Sequence, residues 1–166
     1  MFVLVPFGLG NSYVPDPRGV ADTLRRVQPQ AFVSTPRLYH KIHDAAQRRV
    51  MATSGGAGRF EWALRMGVQV QAARMAGKRP SPSLLAQHAL ADRMVFRHVR
   101  DAGGGPKRLL SCGGAPLNPR VSELFYAAGL PIYHGYGQIE TTAMTTCNTP
   151  ADHTFDTVGR PVPGCQ

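Results

Sequence analysis

The alternation of helix-opening signals with short apolar runs constrains this fold more than any other feature. A capping side chain followed by proline occurs at Asp16-Pro17, Thr35-Pro36 and Asn118-Pro119. Proline costs nothing at the first helical position, because that N–H has no partner inside the helix. Each pair opens an apolar pattern of helical period: Val20, Leu24 and Val27; then Leu38, Ile42 and Ala45; then Val121, Leu124, Phe125 and Ala128, with Gly129 as the stop. Between them lie runs that suit buried strands, at 31–34, 107–112 and 130–133, and the opening MFVLVPFGLG reads as a further one. Two more helical stretches, about 59–76 and 84–101, follow the Ser54-Gly55-Gly56-Ala57-Gly58 loop and are separated by Pro80-Ser81-Pro82. In the second, Leu85, Ala89, Phe96 and Val99 share a side, and Gly103-Gly104-Gly105-Pro106 ends it. Strand and helix in alternation predict an α/β fold, a mostly parallel sheet flanked by helices, and 166 residues suffice for one such core.

In sheets of this kind ligands gather beyond the carboxyl ends of the strands. SCGGAPL (111–117) and HGYGQIE (134–140) both read as loops in that position, on strands joined by one short helix, so they face one crevice. Gly113 and Gly114 leave backbone open to close approach, and Ala115-Pro116 stiffens the turn into an edge for a flat heterocycle. Tyr136 offers a stacking face, with Gly135 and Gly137 leaving room on either side. Amides around Gly137 and Gln138 are candidate phosphate donors, and Glu140 is a hard oxygen ligand suited to magnesium. Together these describe a nucleotide site; taken singly, each is also an ordinary glycine turn.

The net charge of +9 favours anionic partners and leaves peripheral association with a membrane surface open, but the arginines are spread over separate helices. No basic run interleaved with aromatics argues for nucleic acid. Cys112, Cys147 and Cys165 form no CxxC pair, which suits a reducing, cytoplasmic setting, and Cys112 reads as a buried strand residue rather than a nucleophile. His40, His43, His88 and His98 lack ligand spacing for zinc, and His153 supports no claim. Met66, Met75 and Met94 read as core or helix-interface residues and Trp62 as a packing anchor.

The two loops, with TVGRPVPG at 157–164, resemble in order and spacing the adenylate-forming superfamily of acyl-CoA synthetases, luciferases and peptide-synthetase adenylation domains. FVSTPRLYHKI (32–42) and VPDPRGVADTLRRVQPQAF (14–32) are similar to segments of its long-chain fatty acyl-CoA synthetase branch. The resemblance implies a fatty acid activated by ATP to acyl-AMP and then transferred to coenzyme A. By it, Gly113, Gly114, Ala115 and Pro116 line the adenine and acyl pocket, Tyr136 stacks on adenine, and Glu140 binds magnesium as the catalytic carboxylate. Gly135, Gly137, Gln138 and Ile139 complete the nucleotide loop, with Gly135 and His134 near the activated carboxyl end.

The family pattern ends Tyr-Gly-x-Thr-Glu, whereas Ile139 stands here in place of the threonine and offers no donor. The family's phosphate loop ending in Pro-Lys-Gly has no counterpart: ATSGGAGR (52–59) lacks the lysine and follows PRLYHKI, and GGGPKR (103–108) leads into a strand. Both chain ends look cut. The expectation is therefore an internal, partial AMP-binding domain over 1–166, without the phosphate loop or C-terminal domain, inactive alone and prone to self-association through surfaces its neighbours would cover. The alternatives are an acyl-AMP ligase serving a carrier protein, and a remnant that binds nucleotide without catalysis.

Overall fold

The computed structural model describes residues 14, 16, 19–105 and 109–165. The expected opening strand, Pro17 and the start of the expected 107–112 strand lie outside them. The elements are α1 (Val20–Val27), β1 (Ala31–Ser34), α2 (Pro36–Met51), α3 (Gly56–Met75), α4 (Pro82–Ala91), a π-helical turn (Asp92–Phe96), α5 (Arg97–Ala102), β2 (Leu109–Cys112), α6 (Pro119–Ala127), β3 (Ile132–Gln138), β4 (Ala143–Cys147) and β5 (Arg160–Pro161). Five strands form one sheet in the order β1-β2-β3-β4-β5, so the class is α/β with flanking helices. The first three strands run parallel, with Ser34 opposite Cys112 and Cys112 opposite His134; β3–β4 and β4–β5 are antiparallel.

Proline caps set two of the three helix starts expected from them. Pro36 and Pro119 open α2 and α6, and the Asn118 side chain accepts from the Arg120 amide at 2.9 Å. The first helix differs: it begins at Val20 behind Gly19, whose N–H bonds the Asp16 carbonyl in a preceding turn. A fourth pair, Ser81-Pro82, opens α4: the Ser81 hydroxyl accepts from the Leu84 amide, placing the start at Pro82 rather than 84. The glycine loop is also shorter than expected, because α3 takes in Gly56, Ala57 and Gly58.

Burial on α2 centres on Tyr39, Ile42, Ala46 and Val50 rather than on Leu38 and Ala45. Tyr39 is fully buried: its ring meets Phe125 of α6 edge-on at 5.5 Å, and its hydroxyl donates to the Ser111 carbonyl at 2.8 Å. It thus joins α2, α6 and β2 on one sheet face, where Phe32, Leu110, Cys112 and Ile132 also pack. Strand alternation sends Val33 and Leu109 to the opposite face, and both are exposed. Leu85 and Ala89 do not share a buried side with Phe96 and Val99; both are exposed. The reason is the π turn between them, which takes more residues per turn than an α-helix and shifts the phase. Arg100 grips Asp92 with both terminal nitrogens at 2.7 Å across that turn. Gly67 lets α3 cross α6 closely: a Cβ there would lie 2.6 Å from Phe96 and Ala127. Trp62 and Met94 pack against the core, Met66 is half-buried, and Met75 is exposed at the end of α3, contrary to its reading as an interface residue.

Candidate nucleotide-binding site

The loop after β2 and the end of β3 do face each other. A cavity of about 430 Å³ is lined by Gly114, Ala115, Pro116, Leu117 and Pro119 on one side and by His134, Gly135, Tyr136 and Gly137 on the other. A second, more open cleft of about 600 Å³ runs along Val33, Ser111–Gly114, Gly135–Ile139, Thr142 and Met144. Gly114, Gly135, Tyr136 and Gly137 belong to both. Both volumes fall in the ordinary range for small-molecule sites. The two motifs are linked directly: the His134 imidazole donates from Nε2 to the Ala115 carbonyl at 3.1 Å, and a Cβ on Gly113 would come within 3.3 Å of the Gly135 carbonyl.

Residues 134–138 are not the loop their glycines suggest but the greater part of β3. Gly135 pairs with Cys147 across an antiparallel ladder, and a Cβ there would meet Met144 Sδ at 2.9 Å and the Thr146 carbonyl at 3.3 Å. That glycine serves close strand approach. The register slips between Tyr136 and Gly137, and such a bulge re-aims side chains locally. Tyr136 is 48% exposed, and its hydroxyl accepts from Gln138 Nε2 at 2.8 Å, so the ring is held at the mouth of the cavity.

The Gln138 amide donates to Thr141 Oγ1 at 3.1 Å, which removes it as a free phosphate donor in this arrangement. Gln138 and Thr141 cap a 3₁₀ turn, Ile139–Thr141, that carries Glu140 outward. Ile139 is 95% exposed and lines the open cleft, as does Thr142, whose backbone is left-handed at φ 57°. Glu140 is exposed, and among the described residues no three His, Cys, Asp or Glu side chains gather to hold a metal ion. A lone carboxylate still suits magnesium, which takes most of its ligands from phosphates and water.

A third wall was not anticipated. Phe155, Asp156, Thr157 and Val158 close the cavity. Asn148 holds this segment: it is buried, its amide nitrogen donates to the Thr154 and Thr157 carbonyls, and its backbone N–H donates to the His134 carbonyl at 2.9 Å. His153 stacks on Tyr126 at 5.4 Å, meets Tyr133 and Phe155 edge-on, and hydrogen-bonds the Ile132 carbonyl at 3.1 Å. Burial depresses its pKa, a bias its bond to Ile132 partly offsets. Only the TVGRPVPG stretch hinted at this wall, and Asn148 and His153 carried no sequence signal. Cys112 is buried as expected, and burial pushes its thiol up to about 11, well away from a reactive thiolate.

The sequence profile of AMP-binding enzymes matches residues 1–166. The chain belongs to the AMP-binding enzyme family. Among its relatives, Long-chain-fatty-acid–CoA ligase FadD15 of Mycobacterium bovis is 37% identical over 153 residues, 92% of this chain and 25% of that protein. Long chain acyl-CoA synthetase 6, peroxisomal, of Arabidopsis thaliana is 32% identical over 164 residues, 98% of this chain and 22% of the relative. The putative fatty-acid–CoA ligase fadD11 of Mycobacterium tuberculosis is 29% identical over 163 residues, 96% of this chain and 28% of its own length. This AMP-binding chain therefore spans about a quarter of the length of the curated relatives it matches. Among the described residues no helix is long and apolar enough to cross a membrane.

Proposed function

We propose that the crevice is the adenine side of an acyl-adenylate site, within an AMP-forming ligase that activates a long-chain fatty acid with ATP and passes it to coenzyme A. The observation that carries this reading is the cavity that Gly114, Ala115 and Pro116 share with Gly135, Tyr136 and Gly137, in a chain whose relatives are named as fatty-acid–CoA ligases. Tyr136 stacks on the purine, and the glycine turn after β2 lets the nucleotide and acyl group approach the backbone. Glu140 is the residue to hold magnesium, which when bound offsets triphosphate charge. The acyl chain's carboxylate attacks the α-phosphate, pyrophosphate leaves, and the coenzyme A thiol then displaces AMP.

Among the described residues no lysine or arginine lines either cleft. Stabilising charge at a transferring phosphoryl centre normally comes from such groups or a metal, so we assign these residues nucleotide recognition and infer that turnover by them alone is absent. Ile139 favours a second reading, binding without catalysis, because the family's threonine position here presents an exposed aliphatic chain. Amide NMR titration with AMP tests the recognition claim. Shifts confined to residues 113–116 and 134–138 support it, and saturable binding that leaves those amides unmoved refutes it.

A further inference from the structure

A separate pocket, of about 400 Å³, lies in the helical layer and shares no residue with the nucleotide crevice. Four arginines from three places line it: Arg49 near the end of α2, Arg59 in the first turns of α3, and Arg93 and Arg97 at and beside the π turn. Val50, Leu90 and Met94 supply an apolar part, with Thr53 and His98 between. All four arginines are exposed, and among the described residues none forms an ion pair, whereas Arg25, Arg100, Arg120 and Arg160 all do. Four arginines thus share one pocket, and among the described residues no carboxylate lines it. His98 Nδ1 is buried there without a hydrogen-bond partner, and its pKa is depressed by burial first and by Arg97 and Arg49 next, with Asp101 opposing.

Like charges left together and unpaired repel, an arrangement that a bound anion relieves. Guanidinium forks suit phosphate oxygens in bidentate geometry. From this geometry we propose that the pocket binds the phosphoryl group of an amphipathic phosphate ester, with Leu90 and Met94 beside its apolar portion. The segment ATSGGAGR, whose glycines resemble a phosphate loop in composition only, contributes Thr53 and Arg59 to this separate site.

Inorganic phosphate and phosphatidylcholine vesicles carrying phosphatidic acid are the probes, with plain phosphatidylcholine as blank. R93E/R97E removes the site's charge, and K78E/R79E removes the same charge from exposed positions outside it. Phosphate binding followed by calorimetry is expected to weaken about tenfold or more in R93E/R97E, since each charge-assisted hydrogen bond matters at that scale, and to persist in K78E/R79E. Phosphate binding without vesicle binding assigns a soluble ester, and vesicle binding that phosphate competes away assigns a lipid headgroup. Equal losses in the two double variants, or no measurable phosphate binding in the folded chain, overturn the proposal.

Discussion

Replacing Tyr39 by phenylalanine isolates one hydroxyl that couples the helical layer to the site. The ring stays where Phe125 and Phe32 hold it, at 5.5 and 6.1 Å. What disappears is the 2.8 Å bond to the Ser111 carbonyl, one residue before Cys112 and two before Gly113, together with the hydroxyl's longer 3.4 Å contact to the Phe32 carbonyl of β1. A net hydrogen bond contributes about 1 kcal/mol, and a carbonyl left short of a partner in a buried setting raises the loss to about 2 kcal/mol. For a chain of this size that is a fall of about 2–8 °C in Tm. Urea titrations of wild type and Tyr39→Phe measure it, with Tyr39→Leu as a second variant that also removes ring packing and is expected to lose about 3 kcal/mol or more. A Tyr39→Phe protein as stable as wild type, within a few tenths of a kcal/mol, would refute the idea that this bond anchors β2 to α2.

Asn148→Ala is expected to cost about 2 kcal/mol, since two donated bonds vanish from a buried side chain, and to speed hydrogen exchange across 154–158. Gly159→Ala is more severe, about 2 kcal/mol or beyond, because φ is +79° and a Cβ would collide with the Cys147 backbone; circular dichroism melts measure it. Ile139→Thr changes stability by less than about 0.5 kcal/mol, as the side chain is almost wholly exposed, while strengthening adenylate binding in calorimetry. Stability also falls at both pH extremes. His88, His98 and His153 are depressed by burial, so their contribution is present above their ordinary value of 6.5 and lost as pH drops through the lowered values. Cys112 and Tyr39 are raised by burial, so theirs is complete below the ordinary values and lost as pH climbs, for Cys112 between 9.0 and about 11. Denaturant midpoints across pH follow both limbs, and Cys112→Ala flattens the alkaline one.

Local chemistry was legible where it acts alone. Asn118-Pro119 announces its helix through a cap and a fixed φ, and Thr35-Pro36 through the fixed φ alone, since the Thr35 side chain makes no cap bond; neither device needs a tertiary partner. The crevice between 113–116 and 134–137 followed from strand order, which places the ends of β2 and β3 side by side. The strand character of HGYGQ stayed hidden, since glycines read as a turn until the partner strand is seen to demand a bare backbone at Gly135. The π turn hid for a related reason: Asp92–Phe96 has helical composition, and only the solvent exposure of Leu85 and Ala89 reveals the phase change. Asn148 and His153 act through contacts with distant strands, information that spacing does not carry.

On the function proposed above, Tyr136 and the glycine turn after β2 recognise an acyl-adenylate. A thermal-shift titration with a non-hydrolysable long-chain acyl-adenylate mimic, in wild type and in Tyr136→Ala, tests it most directly. A ligand confined to the folded state raises Tm as its concentration passes Kd. A saturable rise is expected in wild type, and about tenfold more ligand is needed for it in Tyr136→Ala, the scale of one lost base stack. A cooperative melt that the mimic does not move, or a rise identical in the two proteins, would contradict it.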